Sequence, residues 1–237
     1  MERRTFIRAS ALSAGGLSVG ALSVGGASAG AAHAQPATAE KPLRVQVLVY
    51  DGVEEQDFAA PVEVLGLAAK MGGAVRTTLV TPDRPATVTC TYGTRLDVAA
   101  GWSPHDADVL VVPGGGYTDL HGPGVRRLIA DRGFLRRLAG VSALPVGICT
   151  GVMVLSAAGL TRGRPATTHS GAKADLRAQG ATVVDARVVD DGTLVTGGGI
   201  TSGLDVSLWL LERFLGAKFA QRVEVVLEYE RRGTVWR

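Results

Sequence analysis

Residues 143–160, ALPVGICTGVMVLSAAGL, constrain the fold more than any other stretch of this 237-residue chain. The apolar run 144–148 is typical of a buried strand, and the Ala-, Val- and Leu-rich run after Cys149 is typical of a helix. Cys149 stands at the corner between small residues that permit a strained turn. This is the form of a nucleophile elbow, with cysteine in place of serine. We therefore predict an enzyme that depends on one reactive thiol.

The corner also determines the chemistry expected of Cys149. A helix N-terminus offers unpaired backbone N–H groups and the positive end of the dipole, and both favour thiolate over thiol. A lone cysteine is more often a small buried apolar residue, but this position favours the reactive role. Thr150 follows as a first-turn helix residue, and it is placed to offer its backbone N–H to an oxyanion and its hydroxyl to a water or substrate.

Strand and helix patterns alternate along the rest of the chain, which predicts a mostly parallel sheet. The expected fold class is an α/β three-layer sandwich with helices on both faces, as in flavodoxin-like and glutamine amidotransferase-like folds. The predicted strands cover residues 43–50, 75–81, 108–112, 144–148, 182–184 and 194–196.

Two helices, one extended segment and the C-terminal end are also predicted. One helix begins near Asp57 with Pro61 in its first turn, where proline is tolerated. A second runs over about residues 125–138, and residues 95–98 are expected to be an extended edge segment. The arginine-containing end, residues 228–237, is expected to be solvated.

Three polar or glycine-rich signals follow strand ends and so converge on one rim of the sheet: Asp57, residues 114–116 and Cys149. Beside a nucleophile, Gly115 is predicted to supply a second N–H to an oxyanion, with Gly116 next to it. Phosphate binding is the weaker reading, because no G-x-G-x-x-G pattern or Walker lysine is present. Asp57 alone would be a helix cap, with Glu54 and Glu55 as solvated neighbours, but on this rim its carboxyl can bond the thiol and transfer a proton.

The remaining chemistry-bearing residues give weaker signals. His169, after two threonines, is either a pocket residue or a satisfied strand-end residue, and both readings stay open. Cys90 lies in a polar context and is expected to be a bystander without a disulfide to Cys149. No metal is predicted, because no His, Cys or acidic residues show ligand spacing.

The N-terminus has the features of an export signal. Residues 3–8, RRTFIR, resemble a twin-arginine motif, a mildly apolar stretch follows, and Ala32-His33-Ala34 fits a cleavage site. We expect a signal at 1–34, a linker at 35–42, a domain at 43–237, and a periplasmic or secreted protein without a membrane anchor after cleavage. The signal carries +2 of the formal net charge of +3, so nothing indicates a nucleic-acid partner.

With these residues in hand, the chain resembles the DJ-1/PfpI superfamily, and within it the branch of isonitrile hydratase and the amidase-like domains of AraC-type regulators. The resemblance implies Cys149 as nucleophile, Asp57 as its acidic partner, and Thr150 as the threonine that follows the cysteine in that branch. It implies an oxyanion site at Gly115 and the Thr150 N–H, and a pocket histidine at His169. The matching blocks are GVEEQDFAAPVEVL (52–65), VVPGGG (111–116), GICTGVMVLSAAGL (147–160), RPATTH (164–169) and VTGGGITSGLDVSLWLLE (195–212).

The resemblance implies a cofactor-free lyase that adds water to an isonitrile, and a homodimer acting on a small molecule. Thr150 stands where PfpI-type peptidases carry histidine, which argues against peptidase activity. The alternatives are a glyoxalase-type activity on small carbonyl compounds and a non-catalytic redox-sensing module in which Cys149 is oxidised to a sulfinate.

Overall fold

A six-stranded sheet forms the centre of the protein and confirms the predicted α/β class. The structure, a computed structural model, describes residues 37–38 and 40–237; the predicted export signal, residues 1–34, lies outside the described residues. Beyond the sheet, two short strand pairs complete the β-structure. The strands are β1 (Leu43–Leu48), β2 (Val75–Val80), β3 (Ala86–Thr89), β4 (Arg95–Val98), β5 (Val109–Val112), β6 (Leu144–Gly147), β7 (Pro165–Ala166), β8 (Thr182–Val183), β9 (Val188–Asp190) and β10 (Val195–Gly197).

The order of the central sheet is β2-β1-β5-β6-β10-β9. Every neighbouring pair is parallel except β10 and β9, which are antiparallel. The central strands are buried on both faces, as a parallel sheet with helices on each side requires. The antiparallel β9 was not predicted, since three residues carry too little pattern to identify a strand.

Helices cover both faces of the sheet. On one face α1 packs against α6 and α6 against α7, and on the other α2 and α3 pack against α4. Within the described residues no helix has both the length and the apolar character needed to cross a bilayer. The helices are α1 (Glu55–Lys70), α2 (Val125–Ala130), α3 (Arg132–Ala139), α4 (Gly151–Ala157), α5 (Lys173–Ala178), α6 (Ser202–Leu215) and α7 (Ala217–Leu227), with a 3₁₀ turn at Ser170–Ala172.

Two helix predictions are corrected by the structure. The expected helix over 125–138 is two helices, because Asp131 leaves helical geometry and its side chain accepts the N–H groups of Gly133 and Phe134 to cap α3. Pro61 lies inside α1 rather than in its first turn. Its ring removes the N–H that would have bonded the carbonyl of Asp57.

The segment at 95–98 is extended, as predicted, but it does not extend the edge of the main sheet. It is β4, and it pairs antiparallel with β3 in a separate two-stranded hairpin. The Thr91 N–H donates to the carbonyl of Val53, which fixes the hairpin end against the loop after β1.

The C-terminal segment, residues 228–237, is mostly exposed, as predicted, but it is also held against the domain by contacts that the sequence did not reveal. Trp236 donates its N–H to Val188 and accepts that of Asp190, so the tail lies along the β9 edge. Arg231 pairs with Glu212 on α6 and Glu224 on α7. The tail therefore covers an edge that would otherwise offer unpaired backbone groups.

Candidate active site

Cys149 occupies the turn between β6 and α4 with a left-handed backbone, φ 53°. A positive φ is unusual for a residue with a Cβ and is a common feature of functional turns. Neighbouring loops hold it on both sides: its N–H donates to the carbonyl of Gly198 at 2.9 Å, and its carbonyl accepts the Thr168 hydroxyl at 2.7 Å. The conformation is thus fixed by the loop after β10 and the segment after β7.

The Cys149 sulfur accepts backbone N–H groups from Thr150 and Ile200, and both lower the pKa of the thiol. The predicted stabilisation of thiolate by backbone N–H groups is therefore present, but two effects that raise the pKa of the thiol are larger. Burial raises the pKa most and the charge of Asp57 raises it further, to about 12. The resting pair accordingly holds its proton on sulfur when Asp57 is ionised.

Asp57 is fully buried in the first turns of α1. Burial raises the pKa of its carboxyl to about 7, while the N–H of Gly114 and the Cys149 thiol act in the opposite direction. Oδ2 accepts the Gly114 N–H at 2.8 Å. Oδ1 is buried and has no hydrogen-bond partner among the described residues other than the neighbouring Cys149 thiol. The carboxyl can hold or release a proton near neutral pH.

Thr150 joins the loops after β5 and β6. Its hydroxyl oxygen accepts the Gly115 N–H at 3.1 Å. The N–H predicted as an oxyanion donor is thus already engaged by Thr150, and an oxyanion would have to displace this bond. The Thr150 N–H is directed at the sulfur of Cys149.

Gly115 and Gly116 both have positive φ and close backbone neighbours. A Cβ on Gly115 would lie 2.6 Å from the Glu54 nitrogen, and one on Gly116 would collide with the carbonyl of Pro123. Both glycines therefore shape the loop. The nearest neighbours of a Cβ at either position would be backbone atoms of other residues, whereas at Gly114 they would be Thr150 and Asp57.

Gly114 was expected on this rim as part of the run 114–116, but the sequence prediction assigned it no role of its own. A Cβ there would lie 2.5 Å from Thr150 Oγ1 and 2.9 Å from Asp57 Oδ2, so only glycine leaves room for the two side chains to approach. Its N–H bonds Asp57 and its carbonyl accepts the Glu54 N–H at 2.9 Å. The only sequence signal was its place first in the glycine run.

Glu54 and Glu55 are not the solvated neighbours that were expected. Glu54 is buried, burial raises its pKa, and its charge helps to raise that of Asp57. The Glu55 carboxylate accepts the N–H of Tyr92 at 2.9 Å and so binds the β3–β4 hairpin. The acidic run is held by contacts distant in sequence, which a local pattern does not reveal.

His169 lies beside the candidate site rather than in its centre. Its Nδ1 accepts the Gly171 N–H at 3.1 Å, and its ring packs against Gly199, in the loop that also holds Cys149. It lines a cavity of about 340 Å³ with Lys173 and Arg187. Among the described residues no hydrogen bond joins this ring to the thiol.

Cys90 and Cys149 are both free, as predicted. Cys90 is buried beside the β3–β4 hairpin, and burial together with the charges of Glu55 and Asp51 raises its pKa to about 11. It lies outside the group formed by Asp57, Gly114 and Cys149. No three His, Cys or acidic side chains converge as metal ligands within the part of the chain that is described.

Comparisons with known proteins show the family of this chain. A model of the DJ-1/PfpI family matches residues 43–213. The chain is 36% identical over 191 residues to the isonitrile hydratase of Pseudomonas putida, covering 79% of this chain and 78% of that protein. It is 30% identical over 199 residues to the Parkinson disease protein 7 homolog of Danio rerio, covering 78% and 96%.

A solved structure shows the same fold. The crystal structure of a ThiJ/PfpI family protein from Pseudomonas syringae superposes with a TM-score of 0.71 at 27% identity, covering 81% of this chain and 77% of that one.

Proposed function

The chain belongs to the DJ-1/PfpI family, and from that premise and the geometry of its site we propose that it hydrates an isonitrile to an N-substituted formamide. The observation that carries the proposal is the pair of Asp57 and Cys149. A buried carboxyl with a pKa near 7 touches a thiol at a strand–helix turn, and a threonine follows. The relative with 36% identity whose name states this activity supports the same chemistry.

The first step adds the S–H bond to the terminal carbon of the isonitrile. Asp57 takes the thiol proton and delivers it to that carbon, while the sulfur of Cys149 forms a bond to the same carbon. The isonitrile carbon, formally carrying a lone pair, accepts both. The product is a thioimidate, R–N=CH–S–Cys149, and the carboxyl returns to its starting protonation state.

The second step consumes water. A water near the Thr150 hydroxyl adds to the thioimidate carbon as the nitrogen gains a proton, and the tetrahedral species then expels sulfur. The leaving thiolate recovers a proton through Asp57, and the product is R–NH–CHO. Thr150 N–H and Ile200 N–H, which already point at the sulfur, stabilise it as it leaves.

The burial of the site matches the shape of this substrate. Cys149 is only 5% exposed and Asp57 is fully buried. An isonitrile presents its reactive carbon at the end of a narrow linear group, so it can reach a recessed sulfur that a branched carbonyl compound reaches less easily. The recessed sulfur therefore favours isonitriles over oxoaldehydes as substrates.

A sulfinate confined to Cys149 after mild peroxide treatment, in a protein without hydratase activity, would favour the redox-sensing alternative. We further propose, from the family resemblance, that the protein is a homodimer and, from the RRTFIR motif and the Ala32-His33-Ala34 site, that residues 1–34 export it. Both proposals concern properties outside the site geometry and are tested by sedimentation and by signal-deletion fractionation.

The test is an assay of purified protein with a panel of isonitriles, cyclohexyl isocyanide among them, and with methylglyoxal. We expect the unchanged protein to produce the formamide. Cys149→Ala and Asp57→Asn should produce none, although each variant should still be folded and melt cooperatively. Lactate from methylglyoxal without any formamide would replace the proposal with a glyoxalase-type activity. No product from any isonitrile at high protein concentration would remove it.

A further inference from the structure

The hydroxyl of Tyr50 is a buried polar group that the proposed reaction does not use. Tyr50 follows β1, is 5% exposed, and places its oxygen 2.5 Å from the carbonyl oxygen of Pro113 and 3.1 Å from that of Gly114. Burial raises its pKa well above the ordinary value, so the hydroxyl keeps its proton and remains a donor.

Of the two acceptors, Pro113 is the one that this hydroxyl serves. A phenol has one proton to donate, and the Pro113 oxygen is the nearer. The Gly114 oxygen already accepts the N–H of Glu54 at 2.9 Å. The Pro113 carbonyl is also confined from the other side, since a Cβ on Gly151 would lie 2.6 Å from it.

The Pro113 carbonyl and the Gly114 N–H are the two ends of one planar peptide unit. That N–H donates to Asp57 Oδ2 at 2.8 Å. Tyr50, the peptide and Asp57 therefore form a continuous chain of donors and acceptors. A hydrogen bond to the carbonyl polarises the peptide and strengthens the bond made by its N–H.

We propose that Tyr50 is a positioning residue for Asp57: its hydroxyl fixes and polarises the Pro113–Gly114 peptide, which holds the carboxyl by Oδ2 against the Cys149 thiol. The inference rests on the proposed function only in taking Asp57 as the acid of that reaction. The positioning itself involves no substrate, so it can be tested even if isonitrile hydration fails.

The expected consequence follows from the groups around Asp57. The titratable groups that act on it are Glu54 at the start of α1, Cys149 after β6 and Tyr50 itself. Removal of the Tyr50 hydroxyl leaves these charges in place and weakens the Gly114 bond to the carboxylate. The ionised carboxyl loses stabilisation, and its apparent pKa rises.

The experiment measures alkylation of Cys149 by iodoacetamide between pH 5.5 and 9, with the modified peptide resolved from that of Cys90 by mass spectrometry. The carboxyl–thiol pair loses the first of its two protons near pH 7. In the singly protonated pair, the form that carries the remaining proton on Asp57 has a thiolate on Cys149, and this form sets the rate of alkylation. Tyr50→Phe is expected to move this inflection upward by about half a pH unit. Tyr229→Phe, which removes a hydroxyl bonded to Asp205, is the matched control and should leave it unmoved.

A double variant separates positioning from a general loosening of the core. In the Asp57→Asn background, Tyr50→Phe should produce no further shift, because the group that it acts through is absent. Thermal melting verifies that each variant is folded. An unshifted Tyr50→Phe profile, or an equal shift with and without Asp57, would overturn the inference. A shift in a protein with no hydratase activity would support it and refute the proposed function alone.

Discussion

The hydroxyl of Thr150 accepts the backbone N–H of Gly115 at 3.1 Å, which joins the loops that follow the two central strands. Both groups are buried, so neither has water as a substitute partner. The bond holds the glycine loop against Thr150. This threonine therefore has a structural role in addition to its proposed catalytic role.

Thr150→Val keeps the shape of the side chain and removes this acceptor. Leaving the buried Gly115 N–H unpaired is expected to lower the free energy of unfolding by about 1–3 kcal/mol, measured by urea denaturation. Thr150→Ser retains the hydroxyl and is expected to lose clearly less. Equal stability of the valine variant and the unchanged protein would show that the bond contributes nothing.

Asp57 makes stability depend on pH in a definite direction. Its pKa rises from an ordinary 3.8 to about 7 on folding, so between these values the folded state binds the extra proton and stability falls as pH rises. Asp57→Asn lacks this titration. It is expected to be more stable than the unchanged protein at pH 8 by up to about 4 kcal/mol, and the difference should vanish near pH 4. Denaturation curves at both pH values measure it, and a difference that grows on acidification would contradict the assignment.

Gly114 admits no side chain. Gly114→Ala would press a methyl group between Asp57 Oδ2 and the Thr150 hydroxyl, and is expected to destabilise the fold by about 1–3 kcal/mol and to disrupt the carboxyl–thiol contact. Gly66→Ala is the matched control, since that position on α1 has no neighbour within 4 Å and alanine favours helix. Chemical denaturation compares the two variants. Similar stability in both would mean that the loop yields readily.

The docked tail predicts a contrast between adjacent arginines. Arg231→Ala breaks ion pairs to both α6 and α7 with partly buried partners, and is expected to lower the free energy of unfolding by about 1–2 kcal/mol. Arg232 contributes its backbone N–H to Asp205, so Arg232→Ala should cost less than about 0.5 kcal/mol. Thermal melting of the pair tests this, and equal effects would indicate that the ion pairs do not hold the tail.

The sequence predicted those features that depend on local pattern and on the rules of parallel sheets. Cys149 was located because a strand pattern changes to a helix pattern at one residue, and Asp57 was brought to it because parallel strands end at a common rim. The structure brings these two together with Thr150 as that argument required.

The features that escaped prediction depend on contacts between residues distant in the chain. The hydroxyl of Tyr50 reaches a peptide 63 residues away, and Trp236 of the tail pairs with Val189 of β9, 47 residues earlier in the chain. The engagement of Gly115 by Thr150 is of the same kind, since a glycine run does not reveal which of its N–H groups are free. The thiol pKa was misjudged because burial, a tertiary property, exceeds the effect of the helix N-terminus.

The measurement that tests the account most directly is the mass of the protein during turnover. Mixed with excess isonitrile and quenched rapidly in acid, the unchanged protein should carry an adduct equal to the whole mass of the isonitrile, located on the peptide that contains Cys149, and Cys149→Ala should carry none and form no formamide. Formamide production by Cys149→Ala at the rate of the unchanged protein would contradict the central role of this thiol.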